Sequence, residues 1–152
     1  MWCHIKPEIT PMVDNRTAPY GLLILRLALG LMWVSHGLMK VFIFTVPGFA
    51  GFLGKIGLPS ALALPIIAAE IIGGLLIASG VYARQVAILL IPIMLGALSY
   101  HAPNGWVFST TGGGWEYPAF LVVASLVVAL AGEGAYALKP AALIPGGRRA
   151  LA

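Results

Sequence analysis

Four apolar runs, at about 21–44, 61–82, 84–101 and 118–138, take up most of this chain. Each is close to the ~20 residues that an α-helix needs to cross a bilayer. Only 9% of the 152 residues are charged, against about 25% in an ordinary soluble domain. The mean hydropathy is +0.96. A water-soluble core cannot hide that much apolar surface, so the sequence predicts an all-α integral membrane protein, a four-transmembrane-helix bundle. Residues 1–20 read as a cytoplasmic N-terminal segment, 21–138 as the membrane domain and 139–152 as a cytoplasmic C-terminal tail.

Local signals place the breaks. Pro47 and Gly48 end the first run, because proline cannot continue the helical hydrogen-bond ladder. Gly80 and the Tyr82-Ala83-Arg84 boundary close the second, and His101-Ala102-Pro103-Asn104 the third. Pro118 suits a helix start and opens the fourth. Pro65 and Pro92 fall inside runs, where packed neighbours tolerate them. Between the first two runs, Phe49, Phe52, Leu53 and Ile56 recur at helical spacing and predict a short amphipathic helix at the interface. Trp106, Trp115 and Tyr117 suit an interfacial aromatic belt.

The charges set an orientation. Lys6, Arg16, Arg84, Lys139, Arg148 and Arg149 fall on one side of a four-span arrangement, with Lys55 and Lys40 toward the other. The positive-inside rule then puts both termini in the cytoplasm. The net charge of +4 is not gathered into a basic stripe, which argues against nucleic acid as a partner. The single cysteine, Cys3, excludes an internal disulfide and a C-x-x-C redox pair. The first apolar run is longer than a signal-peptide core and reads as a retained span.

Against this apolar background a few polar residues stand out. Glu70 lies between Ala68-Ala69 and Ile71-Ile72. A charge at the centre of a spanning helix costs roughly 2.5–3.5 kcal/mol even on the lenient insertion scale, so intramembrane charges mark function by default. In the predicted topology Glu70 lies about 13–15 Å into the second span, at the depth of His36 in the first. His36 and Lys40 share a face at i, i+4. Arg26, Trp33 and Lys40, seven apart, form one stripe that should face the interior. His101 and Trp115-Glu116-Tyr117 arrive at the same outer boundary. Gly30, Gly37, Gly73 and Gly74 would let helices approach closely beside these groups.

Each of these residues has a plainer role beside the functional one. Glu70 can be half of an ion pair with Arg26, His36 or Lys40 that only fixes helix register. Lys40 and Arg26 can snorkel to the interfaces. His101 can bond carbonyls at a helix end. Trp106 and Trp115 can anchor at the interface, and Glu116 can complement a helix dipole. No H-x-x-x-H or E-x-x-H pair is present, and no metal is expected. No nucleophilic triad is apparent, and Thr110–Gly114 reads as a turn rather than a phosphate cradle.

The ordered series of motifs resembles the DoxX family. The matching pieces are Leu25-Arg26-Leu27-Ala28-Leu29-Gly30, His36-Gly37-Leu38-Met39-Lys40, and Gly48-Phe49-Ala50-Gly51-Phe52-Leu53 with Gly57-Leu58-Pro59. Ala69-Glu70-Ile71-Ile72-Gly73-Gly74, Gly80, Ala83-Arg84, His101 and Gly114-Trp115-Glu116-Tyr117 continue it to about residue 138. The resemblance implies a small four-helix protein of the bacterial inner membrane. Members are linked to quinone-dependent redox systems, including a subunit of thiosulfate:quinone oxidoreductase, and to thiol and oxidative-stress complexes.

Together these readings lead to a quinone-linked membrane subunit. Glu70 would accept protons and His36 would hydrogen-bond or relay them, as the catalytic pair. Lys40, His101, Arg26, Trp33, Trp115 and Glu116 would form the ligand-binding surroundings. A quinone is the expected cofactor, membrane lipid and an oxidoreductase the expected partners, and a homo-oligomer is compatible with the sequence. The alternative is a non-catalytic anchor that recruits a soluble oxidoreductase, and a small-solute transporter is the third class.

Overall fold

The structure, a computed structural model, describes residues 13–139. The expectations for Cys3, Lys6, Arg148 and Arg149, and for most of the two terminal segments, lie outside the described residues. Among the described residues there are five α-helices: α1 (Ala18–Phe42), α2 (Val46–Lys55), α3 (Ala63–Ser79), α4 (Ala83–His101) and α5 (Glu116–Ala131). Short 3-10 turns at Ser60–Leu62 and Ala102–Asn104 precede α3 and follow α4.

The expectation of four membrane spans is overturned. Among the described residues, three helical stretches are long and apolar enough to cross a membrane: Ala18–Phe42, Ser60–Ser79 and Ala83–Asn104. The expected fourth span is α5, which has 16 residues. At 1.5 Å per residue it is about 24 Å long, short of the ~30 Å hydrocarbon core. Gly132-Glu133-Gly134 is the physical cause. Both glycines adopt positive φ, +107° and +73°, which ends the helix well before residue 138. The chain then turns back across the end of the molecule. Ala135 N–H donates to the Pro19 carbonyl at 2.9 Å, and Leu138 and Lys139 N–H donate to Ser79 and Gly80, both at 3.1 Å. Without a fourth full span, the argument that put both termini in the cytoplasm loses its basis. The assignment of residues to an outer half goes with it.

The remaining boundaries follow from local chemistry. Pro47 occupies the first turn of α2, and the Thr45 hydroxyl accepts a hydrogen bond from Gly48 N–H at 3.2 Å, capping the helix. Gly57, at φ +82°, closes α2, with Leu58 N–H returning to the Leu53 carbonyl at 2.9 Å. Gly80, at φ +75°, closes α3 in the same left-handed way. Arg84, at the start of α4, donates from Nε to Ala129 O at 2.7 Å and from Nη2 to Leu130 O at 3.3 Å. That caps the bare carbonyls at the end of α5.

Packing pairs α1 with α3 and α4 with α5, and α3–α4 and α1–α5 contacts complete the assembly. Gly30 faces Gly74 and Ala78, while Gly37 faces Ile67 and Ile71, so α1 and α3 run antiparallel. A Cβ at Gly30 would lie 2.6 Å from the Gly74 carbonyl oxygen. The Gly30→Leu variant should therefore separate α1 from α3 and lose about 1–3 kcal/mol, the usual cost of overpacking. Unfolding in detergent measures it. Gly73 turns the other way, against the Leu90 side chain of α4. The core so formed contains Leu29, Trp33, Ile77, Leu90, Met94, Leu121 and Val128. A second cluster docks α2 at one end, with Phe49 and Leu53 buried against Ala63 and Ile67. Ile56, expected on the same face, is 39% exposed.

Candidate functional site

The antiparallel register of α1 and α3 brings Lys40 and Glu70 together. Lys40 Nζ donates to both Glu70 carboxylate oxygens, at 2.8 and 2.7 Å. The Glu70 side chain is 2% exposed and the Lys40 side chain 13%. Gly37 permits this contact, because its missing side chain leaves room for Ile71 and the Glu70 Cβ. Phe49 of α2 lies over the ammonium, 5.3 Å from ring centroid to Nζ, an attractive cation–π placement. Thus α2 covers the ion pair from the end of the molecule.

One turn before Lys40 on the same face of α1, His36 stands beside the pair. Its Nδ1 donates to the Met32 carbonyl at 2.8 Å. Its ring stacks on Tyr117 of α5, with centroids 5.3 Å apart and planes inclined by 18°. The cluster therefore joins three helices: Lys40 and His36 from α1, Glu70 from α3 and Tyr117 from α5.

The other expected residues take different places. Trp33 is fully buried in the central core, three residues before His36. His101 Nδ1 contacts the Gly112 and Gly113 carbonyls at 2.9 and 3.1 Å, and Asn104 Nδ2 donates to the same two oxygens at 3.0 Å each. Glu116 Oε1 accepts from Phe108 N–H at 2.8 Å. Trp115 packs edge-on against Trp106, with centroids 4.4 Å apart. These three residues organise the loop between α4 and α5. The loop also walls an aromatic groove of about 540 Å³ with Trp106, Phe108, Trp115, Tyr117 and Phe120 among its lining residues.

Arg26 does not belong to this cluster. It lies fourteen residues before Lys40 on α1, about 21 Å along the helix. It is 1% exposed, and its Nη2 donates to Ala135 O at 3.2 Å. Gly80 is packed so closely against its guanidinium that a side chain there would fall on it. Glu133, 7% exposed, lies two residues before Ala135 in the segment that Arg26 binds. The molecule thus carries a second buried ionic centre at its opposite end.

Two residues of these centres are absent from the sequence-based selection. Tyr117 suits an interfacial belt by sequence alone. It precedes the buried Leu121, Ala124 and Val128 of α5 at helical spacing, and that stripe was the available signal. Glu133 falls near the end of the fourth apolar run, where its neighbours mask it. Among the described residues, no group of three or more His, Cys, Asp or Glu could hold a metal ion.

The helices and the buried ion pair define a multi-pass helical membrane protein with a polar site between its helices. A model of the DoxX family matches residues 21–109. The chain also resembles the protein named "Putative oxidoreductase CatD" of Bacillus subtilis (strain 168). The two are 34% identical over 129 residues, spanning 83% of this chain and 90% of the relative. An uncharacterized protein of Haemophilus influenzae is 32% identical over 122 residues, 79% of this chain and 89% of the relative. No solved structure matches. The chain belongs to the DoxX family, and its place is the bacterial inner membrane as a multi-pass protein.

Proposed function

We propose that this protein is the membrane subunit of a quinone-linked redox system, with Glu70, Lys40 and His36 handling the protons that accompany quinone reduction. The observation that carries this reading is the buried Lys40–Glu70 pair with His36 beside it. Ionisable groups held inside a membrane protein, at a cost in desolvation, are the usual parts of proton relays. The aromatic groove fits a planar, lipid-soluble ring. It is an open groove on the surface, and its walls are mainly aromatic. A quinone bound there would supply the two-electron acceptor. An oxidoreductase partner would deliver the electrons. The name of the Bacillus subtilis relative, "Putative oxidoreductase CatD", points the same way.

In this role Glu70 is the proton store, Lys40 holds its carboxylate in one orientation, and Phe49 keeps the ammonium in place. The Glu70→Gln variant keeps the shape and removes the proton store. Quinone reduction per assembled complex should fall at least about 100-fold, the lower range for loss of a general acid–base group. Quinone should be present in the gently extracted wild-type complex.

The two-oxygen contact of Lys40 with Glu70 also favours a second reading, an anchor whose ion pair only locks α1 to α3. In that case Glu70→Gln lowers recovery of the complex and leaves turnover per complex unchanged.

A further inference from the structure

We propose that one ordered water is bound between Trp33, His36 and Tyr117, and that Tyr117 acts through it as the positioning residue of His36. Trp33 is 0% exposed, and its Nε1–H has no hydrogen-bond partner. The Tyr117 hydroxyl is buried and equally without one. A buried polar group that finds no partner in the protein is commonly satisfied by ordered water.

The three side chains are held together by the fold. Trp33 and His36 are i, i+3 on α1 and therefore neighbours on its surface. Tyr117 stacks on His36 and packs against the core cluster that contains Trp33. Ser125 also has an unpartnered hydroxyl, but it lies eight residues beyond Tyr117 on α5, about 12 Å away along the helix. It cannot share the same water.

The hydrogen-bond inventory of the group is complementary. The Met32 carbonyl only accepts, so the 2.8 Å contact places a proton on His36 Nδ1. The neutral ring then presents Nε2 as an acceptor. The indole N–H is a donor only, and the tyrosine hydroxyl donates or accepts. A water that accepts from Trp33 and Tyr117 and donates to Nε2 satisfies the two unpartnered buried groups and makes three hydrogen bonds, the typical number for a buried water. It holds the orientation of the histidine beside Glu70. No proton moves in this binding step. The water site stands on these contacts alone, and its value to His36 rests on the proton handling proposed above.

The test is nitrogen NMR of the full chain in lipid nanodiscs with 15N-labelled histidine, together with thermal unfolding. The chain has three histidines, so His4→Gln and His101→Gln assign His36. Tyr117→Phe keeps the stacked ring and removes only the hydroxyl. The expected result is a downfield move of the His36 Nε2 resonance in Tyr117→Phe, toward an imidazole nitrogen with no hydrogen bond. The melting temperature should not rise. An unmoved Nε2 resonance would overturn the proposal. So would a higher melting temperature, because deleting a hydroxyl that truly has no partner relieves the protein of an unpaired polar group. Neither readout depends on quinone content or turnover, so the water site and the redox reading fail separately.

Discussion

Replacing Lys40 with Met is expected to lower stability by about 3–5 kcal/mol, the cost of leaving one partner of a buried ion pair without the other. The ammonium fills both oxygens of a carboxylate that is 2% exposed. Without it, Glu70 must bear its charge in a poorly solvated site or take up a proton. Both carry a penalty. Glu70→Leu should be destabilising in the same way, since it strands the ammonium beneath Phe49. The double variant Lys40→Met/Glu70→Leu should recover most of the loss, because well-packed apolar pairs commonly match or exceed buried ion pairs in stability. A double-mutant cycle of unfolding free energies in detergent measures the coupling. Independent, additive losses would show that the contact contributes little.

Arg26→Ala is the counterpart at the other end, with an expected loss of about 1.5–3 kcal/mol, the usual worth of a hydrogen bond to a charged group. The variant removes the bond to Ala135 O and takes the guanidinium charge from the neighbourhood of Glu133. It also empties the space beside Gly80. The loss should be local. Hydrogen exchange should accelerate at Ala135, Leu138 and Lys139, whose N–H groups bond across to Pro19, Ser79 and Gly80. Exchange around Lys40 and Glu70 should stay near wild type, about 21 Å away along α1. Arg26→Lys should rescue only in part, because a single ammonium lacks the planar fork of a guanidinium. Faster exchange at both ends would contradict the division into two separate centres.

The sequence set Glu70 at the depth of His36, one turn from Lys40, its partner in the structure, because consecutive spans run antiparallel. Residues equally far from the shared end then meet at one level. The same counting exposed Gly30, Gly37 and Gly74 as contact points. Facing is not level, however. Arg26, Trp33 and Lys40 do share a spacing of seven, but fourteen residues separate the first from the last, so Arg26 has no part in the ion pair. Average hydropathy concealed the end of α5. Ala135–Leu138 reads as apolar, but Gly132 and Gly134 turn the backbone out of the helix.

The loop residues were legible as a group and not as contacts. His101 and Glu116 arrive at the same end as the ion pair, as their positions in the chain require. Their partners, the Gly112 and Gly113 carbonyls and the Phe108 N–H, depend on the path of an irregular segment. Local propensity does not specify that path. Tyr117 could have been found from the buried stripe of α5, where it sits four residues before Leu121.

The central claim is that the Lys40–Glu70 pair does chemistry beyond holding two helices in register. The most direct measurement is quinone reduction per assembled complex by Lys40→Met/Glu70→Leu, the variant expected to fold. The account predicts a normally recovered complex whose turnover falls at least about 100-fold, as for loss of a general acid–base group. Wild-type turnover in that complex would contradict it and leave the ion pair as a structural lock.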